Sequence, residues 1–192
     1  MDNFHGLNIT ASLSMINTVS FLCLSIIEFL LYRITKKLTY YYSSLLLAIA
    51  GSHYAVLDVN KPSIEQEIYI RYSDWIFTTP LLLYVLGLHY NISFNIIRYW
   101  ILLDLVMVIS GIYYELTNNV RYWTLGTISY ILLVFLLYKQ LPDKKYLIRY
   151  FIIGWSGYGI VSRFQPSKRI FYYNILDFYN KFVFALDINN DY

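Results

Sequence analysis

The sequence predicts an all-α membrane protein, a single bundle of seven transmembrane helices over residues 1–192, and three observations carry the prediction. Of the 192 residues, 58% are hydrophobic and 14% charged, where a soluble domain of this length carries about 25% charged residues. Mean hydropathy is +0.46. The apolar residues fall into long blocks separated by short polar stretches, and several blocks are amphipathic, which fits a bundle with a polar interior.

The blocks run roughly over 10–32, 40–58, 68–88, 95–115, 122–138, 147–162 and 169–187. Each is close to the ~20 residues that a helix needs to cross a bilayer. Ser14, Asn17 and Glu28 lie on the first, at spacings compatible with one helical face. Ser43, Ser44, Ser52, His53 and Tyr54 lie on the second. The third carries Arg71 and Asp74, the fourth Asp104, the sixth Trp155 and Tyr158, and the seventh Asn174, Asp177, Asn180 and Lys181.

Seven spans place the termini on opposite sides, and basic residues set the orientation. The first, third and fifth connections hold Arg33, Lys36, Lys37, Arg98, Lys139, Lys144, Lys145 and Arg149. The others hold Lys61, Arg121, Arg163, Lys168 and Arg169, offset by Asp58, Glu65, Glu67 and Glu115. This bias predicts an external N-terminus and a cytoplasmic C-terminus. The net charge of +3 is spread over loops and gives no reason to expect a nucleic-acid partner. Cys23 is alone, which excludes a disulfide framework or a cysteine metal cluster. The N-terminus lacks the basic flank of a signal peptide, and "NIT" at 8–10 is a candidate glycosylation triplet on the outer side.

Glu28, Asp74, Asp104, Asp177 and Lys181 lie deep within spans, with Arg71 at the mouth of the third. Each is costly in hydrocarbon and is therefore a functional candidate. Asp177 and Lys181 are four apart and share a helical face, as do Arg71 and Asp74, three apart. If both faces point inward, two carboxylates meet an arginine and a lysine. One reading is an ion-pair network that fixes how the third and seventh helices pack. The other is chemical: a buried lysine can condense with an aldehyde to a Schiff base, and a protonated Schiff base requires counterions such as Asp74 and Asp177.

"RYSDWIFTTPLLL" at 71–83 and "LDFYNKFVFAL" at 176–186 resemble the third and seventh helices of microbial (type 1) rhodopsins. "AIAGSHY", "DLVMVISG" and "WSGYG" agree in register with the second, fourth and sixth. The resemblance implies a seven-helix bundle holding all-trans retinal as a Schiff base on Lys181. It implies transport or photoreception rather than enzymatic turnover, in a multi-pass protein of the plasma or another host-cell membrane, with lipid around it and protons or small cations as cargo. Homo-oligomers are common in the family. Carried over by position, Asp74 is the primary counterion and proton acceptor, Asp177 the second counterion, and Arg71 the switchable cation. Trp75 and Trp155 sandwich the polyene. Thr78 and Thr79 pack near it and hydrogen-bond Asp74 or Asp104. Met107 and Gly111 lie beside the ionone ring, Tyr158 in the pocket, and Tyr54 bonds the second counterion.

Departures from the pump pattern bear on the kind of rhodopsin. Outward pumps carry a carboxylate eleven residues after the acceptor, where this chain has Val85. The paired glutamates of a proton-release group are absent from "SRFQPSKRIF". Gly159 and Ser162 stand where the family has a proline and a second tryptophan. The triplet Asp74, Thr78, Val85 differs from those of sodium and chloride pumps and is similar to the rhodopsins of giant algal viruses. A channel needs a polar path, and Ser14, Asn17, Glu28, His53, Asn174 and Asn180 provide a candidate seam; the alternative for these residues is helix-to-helix bonding in lipid. His53 is either a proton shuttle or a packing residue. A light-gated cation channel is the leading expectation, a light-driven outward proton pump the alternative, and a photosensor third, since the chain stops a few residues past the seventh block.

Overall fold

In the computed structural model, which describes residues 2–60 and 62–190, the chain folds into seven antiparallel rods with no strand among the described residues. They are α1 (Asp2–Thr35), α2 (Leu38–Asn60), α3 (Ile64–His89), α4 (Phe94–Thr117) and α5 (Val120–Gln140). The sixth rod, α6, joins a π-helical segment Leu147–Gly154 to an α-helical one Trp155–Val161. The seventh, α7, runs Pro166–Asp177, then a π-helical turn Phe178–Val183, then Phe184–Asn190. Side chains of residues 2–11 lie outside the described ones, as does Lys61, so the 8–10 triplet and that connection charge have no structural account.

Local chemistry sets the helix ends. Ser63 and Gln66 form a capping box at the start of α3, each side chain bonding the other's backbone N–H. Asn118 ends α4 in the left-handed conformation, and the Asn119 side chain then accepts from the Arg121 N–H to open α5. Pro166 occupies the first turn of α7, where its missing N–H is harmless. Pro80 lies inside α3 and deprives the ladder of one donor, a loss that membrane helices tolerate because neighbouring groups re-satisfy the backbone.

Except for the sixth, the helices run a few residues longer than the apolar blocks, because charged residues at the span ends still belong to them. Glu65 and Glu67 form the first turn of α3 rather than the preceding connection. Glu115 lies inside α4, Arg149 inside α6 and Arg169 inside α7. The charges counted as loop residues are thus partly helix-end groups.

The outer face is apolar: Val59, Ile34, Met15, Ile153, Phe77 and Leu102 all point outward and are more than half exposed. The stretches Ser12–Thr35, Phe94–Thr117 and Val120–Gln140 are long and apolar enough to span a bilayer, and buried polar side chains come from α1, α2, α3, α4 and α7. Two apolar clusters fill the core. The larger, with Phe21, Leu46, Leu47, Leu82, Val85, Trp100, Tyr146 and Phe184, occupies the end of the bundle where α3 and α7 finish. The smaller, with Ile68, Tyr72, Trp75, Val108, Val161 and Tyr173, lies where they begin. Polar chemistry collects between and around them.

Candidate functional site

Lys181 lies in the π-helical turn of α7 and is 2% exposed. Its ammonium donates a charge-assisted hydrogen bond to Asp74 Oδ2 on α3, and Asp177 Oδ1 is 3.5 Å away. The two carboxylates are not equivalent. Asp177 accepts from Tyr54 Oη at 2.7 Å, Tyr158 Oη at 2.7 Å and Trp75 Nε1 at 3.0 Å, with Arg71 NH1 at 3.9 Å. Three neutral donors hold it in one geometry. Asp74 Oδ1, by contrast, has no protein partner, so Asp74 keeps acceptor capacity beside the lysine. Burying such ions is tolerable only where opposite charges and hydrogen bonds offset desolvation, and here one cation faces two carboxylates.

Arg71 closes the next layer. Its guanidinium donates to Glu67 Oε1 at 3.0 and 2.6 Å, to Asn174 Oδ1 at 2.6 Å and to Tyr54 Oη at 3.2 Å. Beyond it sits a second buried ion pair. Glu115 on α4 accepts from Tyr173 Oη at 2.6 Å and Tyr72 Oη at 3.1 Å, and Arg169 Nε lies 3.4 Å from its other oxygen. Glu67, Glu115, Arg169, Tyr72 and Tyr173 were not among the candidates read from the sequence. The i,i+4 spacing of Glu67 and Arg71 is the one signal that could have marked any of them.

A cavity of about 230 Å³ opens from Lys181. Among the candidates, Trp75, Thr79, Met107, Gly111, Trp155, Tyr158, Asn180 and Lys181 line it. A Cβ on Gly111 would come within 2.8 Å of the Tyr72 hydroxyl, so glycine lets that ring approach α4. Asn180 packs against Gly154, where any Cβ would overlap its carboxamide. An elongated apolar molecule ending in an aldehyde fits these residues: aromatic walls along the length, an amine at one end, and a carboxylate oxygen free beside that amine.

Three of the residues carried over as cofactor-binding, Thr78, Asp104 and Tyr54, do not line the cavity. Thr78 is fully buried but donates to the Asp74 backbone carbonyl at 2.9 Å, not to its carboxylate, and does not line the cavity. Thr residues in helices commonly bond the carbonyl four residues back. Asp104 lies behind the cavity, accepting from Thr79 Oγ1 at 2.7 Å and tying α4 to α3. Tyr54 reaches the site through Asp177.

The candidate seam is a set of separate pairs. Asn17 donates to the Asn174 carbonyl at 2.9 Å. Ser14 is buried with its hydroxyl unbonded. Glu28 accepts from Asn189 Nδ2 at 2.9 Å, and Asn189, also missed, donates to Ser43 as well. His53 Nδ1 lies 2.9 Å from the Ile49 carbonyl on its own helix. Between the Asn17 and Glu28 levels stand Phe21 and Leu24, with Phe21 packed on Tyr54 and Phe178.

The chain matches the family model of bacteriorhodopsin-like proteins over residues 9–189. It is 43% identical over 72 residues to Bacteriorhodopsin-I of Haloquadratum walsbyi, an alignment covering 35% of this chain and 27% of that protein; the match therefore spans about a quarter of the relative's length. The structure superposes on the viral rhodopsin OLPVRII with a TM-score of 0.85 at 18% identity, covering 93% of this chain and 95% of the other. It also resembles the light-driven proton pump of Coccomyxa subellipsoidea, with a TM-score of 0.82 at 18% identity and coverage of 96% and 97%. These two likenesses are of fold, and the curated sequence relatives are haloarchaeal rather than viral.

Proposed function

The chain belongs to the bacteriorhodopsin-like family, integral membrane proteins that hold retinal through a Schiff-base lysine, and we propose that it is a light-driven outward proton transporter built on Lys181, with its N-terminus outside. The observation that carries this reading is the inequality of the two carboxylates at Lys181: Asp177 is saturated by three donors, whereas Asp74 has an oxygen without a partner. Retinal, when bound, supplies visible absorption and a light-driven change of shape at the nitrogen it shares with Lys181.

The protein's own groups do the rest. Trp75 and Trp155 wall the cavity and restrict the shape it accepts, while Met107 and Gly111 bound another part of it. Lys181 holds a proton against Asp74 in the dark, and Asp74 is the group to which that proton passes. Asp177, held by Tyr54, Tyr158 and Trp75, keeps Lys181 in place from the other side. Arg71 is held by Glu67, Asn174 and Tyr54, with NH1 3.9 Å from Asp177, and places a fixed positive charge beneath the two carboxylates. Asp104 fixes Thr79 on the cavity wall.

A light-gated cation channel is the second reading, favoured by the buried polar pairs along α1, α2 and α7. Phe21 and Leu24 separate those pairs, so conduction would require that layer to open. Voltage-clamp photocurrents in cells supplied with all-trans retinal, with external sodium and pH varied separately, test the choice. Current that remains outward at every potential supports the transporter. A reversal potential that follows the cation gradient overturns it in favour of the channel.

A further inference from the structure

Position 85 is valine, buried among leucines, so α3 offers no acid between Lys181 and the end of the bundle where α3 and α7 finish. Yet that end does hold one buried carboxyl group. Glu28 on α1 is 2% exposed and bonded by the neutral amide of Asn189 at 2.9 Å. From α2 the facing groups are Ser43, which bonds the same amide at 3.2 Å, and the Ser44–Ser25 pair. Tyr40 donates to the Asn189 carbonyl. Among the described residues, no lysine, arginine or histidine comes within ion-pair distance of Glu28.

This setting differs from that of the carboxyl groups nearest Lys181 and Arg71, since Asp74, Asp177, Glu67 and Glu115 each face a cation. Asp104 also lacks a cation, but it lies behind the cavity wall, tied to Thr79 on α3. An isolated ionised carboxylate in such a medium is very costly, and a group so placed neutralises instead. Asn189 Oδ1 and Thr39 Oγ1 are also buried at this end without a partner, so the pocket has acceptors that a carboxylic O–H or a mobile proton can use. Asn189 is eight residues beyond Lys181 on α7, about 12 Å along the helix. The intervening layer is Phe184, Ala185 and Ile188 with Leu46, Leu47 and Leu24.

We propose that Glu28 is the proton reservoir of the cytoplasmic half, a donor carried on α1 in place of one on α3. The step balances simply. After Lys181 has given its proton to Asp74, the O–H bond of Glu28 breaks, an N–H bond forms at the Lys181 nitrogen, and the resulting carboxylate recovers a proton from the cytoplasmic medium. Asn189 is a positioning residue, holding the carboxyl group toward α7 and stabilising the transient carboxylate through its N–H. The proposal rests on the proton-transporter reading and deepens it.

The test uses the full chain with retinal in lipid nanodiscs, as wild type, Glu28→Gln and Glu28→Asp. Glutamine keeps the shape and can still accept from Asn189, and aspartate keeps the acid if glutamine fails to fold. Three readouts are taken. The first is carbon-13 NMR of glutamate-labelled protein in the dark, with and without retinal, where a neutral carboxylic-acid signal must disappear in Glu28→Gln. The second is time-resolved infrared difference spectroscopy, where a carboxylic C=O band must bleach as Lys181 regains its proton, move in Glu28→Asp and be missing in Glu28→Gln. The third is the rate of that return, expected to fall by about 10²-fold in Glu28→Gln, the lower range for loss of a positioned acid, and to become proportional to external proton concentration. An unchanged rate or an ionised Glu28 in the dark overturns the proposal. Light-driven pH change in sealed vesicles separates the two ideas: wild type and Glu28→Gln transporting alike sinks the donor and leaves the transporter, whereas no net transport with the Glu28 band present sinks the transporter and leaves the donor.

Discussion

The two halves of the bundle are built on opposite principles. The half where α3 and α7 begin holds two buried ion-pair groups, Arg71 with Glu67 and Asp177 and Glu115 with Arg169, bonded by four tyrosines. The half where they end is packed with Leu46, Leu47, Leu82, Leu83, Val85, Leu86 and Phe184; Glu28 is a buried acid without a cation there, while Asp187 pairs with Arg149 at the rim. Charges in the first half are many, paired and fixed. The difference bears on where a proton can move: one side of Lys181 is rich in hydrogen-bonded polar groups, and the other is an apolar layer with Glu28 beyond it. Such asymmetry gives direction to an event that is itself local.

The largest expected effects come from the boundary between the halves. Lys181→Ala removes the amine, and no visible band should form on adding retinal; a persisting band would refute the attachment site. Asp74→Asn leaves the band but should shift it to longer wavelength and stop transport, because the nearest counter-charge is gone. An unshifted spectrum would make Asp177 the dominant counterion.

Glu115→Gln tests the net. Leaving Arg169 buried without its carboxylate should cost about 3–5 kcal/mol, read as a lower temperature for thermal loss of colour. The double substitution Glu115→Gln with Arg169→Met should cost less than the single one. Val85→Asp tests the dry half by giving it a second acid. It should cost about 1–3 kcal/mol for a polar group placed among leucines, and in the Glu28→Gln background it should restore a fast proton return to Lys181. Failure to restore it would mean that the barrier, not the missing acid, limits the step. The smallest effect belongs to the rim. Arg149 pairs with Asp187 at 2.8 Å but is half exposed, so Arg149→Ala should change stability by about 0.2–1 kcal/mol, and still less at high salt.

How much of this was legible depended on contrast. Asp74, Asp177 and Lys181 stand in the middle of apolar runs, where an ionisable residue is conspicuous, and the structure brings all three together. Glu67, Glu115 and Arg169 sit near span ends, where a charge looks like loop. Nothing local reveals that Glu115 turns inward to Tyr72, 43 residues earlier, because that contact depends on how α3 packs against α4. Asn189 was missed for the same reason, lying at the edge of the last block. Thr78 was read as a partner of the counterion because proximity along a helix is visible and the direction of a hydroxyl is not. The π-helical stretches were also illegible: over six to eight residues, a repeat of 4.4 cannot be told from one of 3.6 in an apolar sequence.

Those stretches set a phase. A π turn accommodates one more residue than an α turn and rotates everything after it relative to what came before. In α7 the turn at 178–183 contains Lys181, so the angular position of Phe184, Ile188 and Asn189 is out of step with that of Asn174 and Asp177. The two halves of this rod are therefore indexed separately, like two keys cut on one shaft. A single-residue deletion within 178–183 would relax the turn to ordinary helix, leave every loop untouched, and aim Asn189 away from Glu28. The same letters would then spell a bundle whose two ends no longer keep the same time.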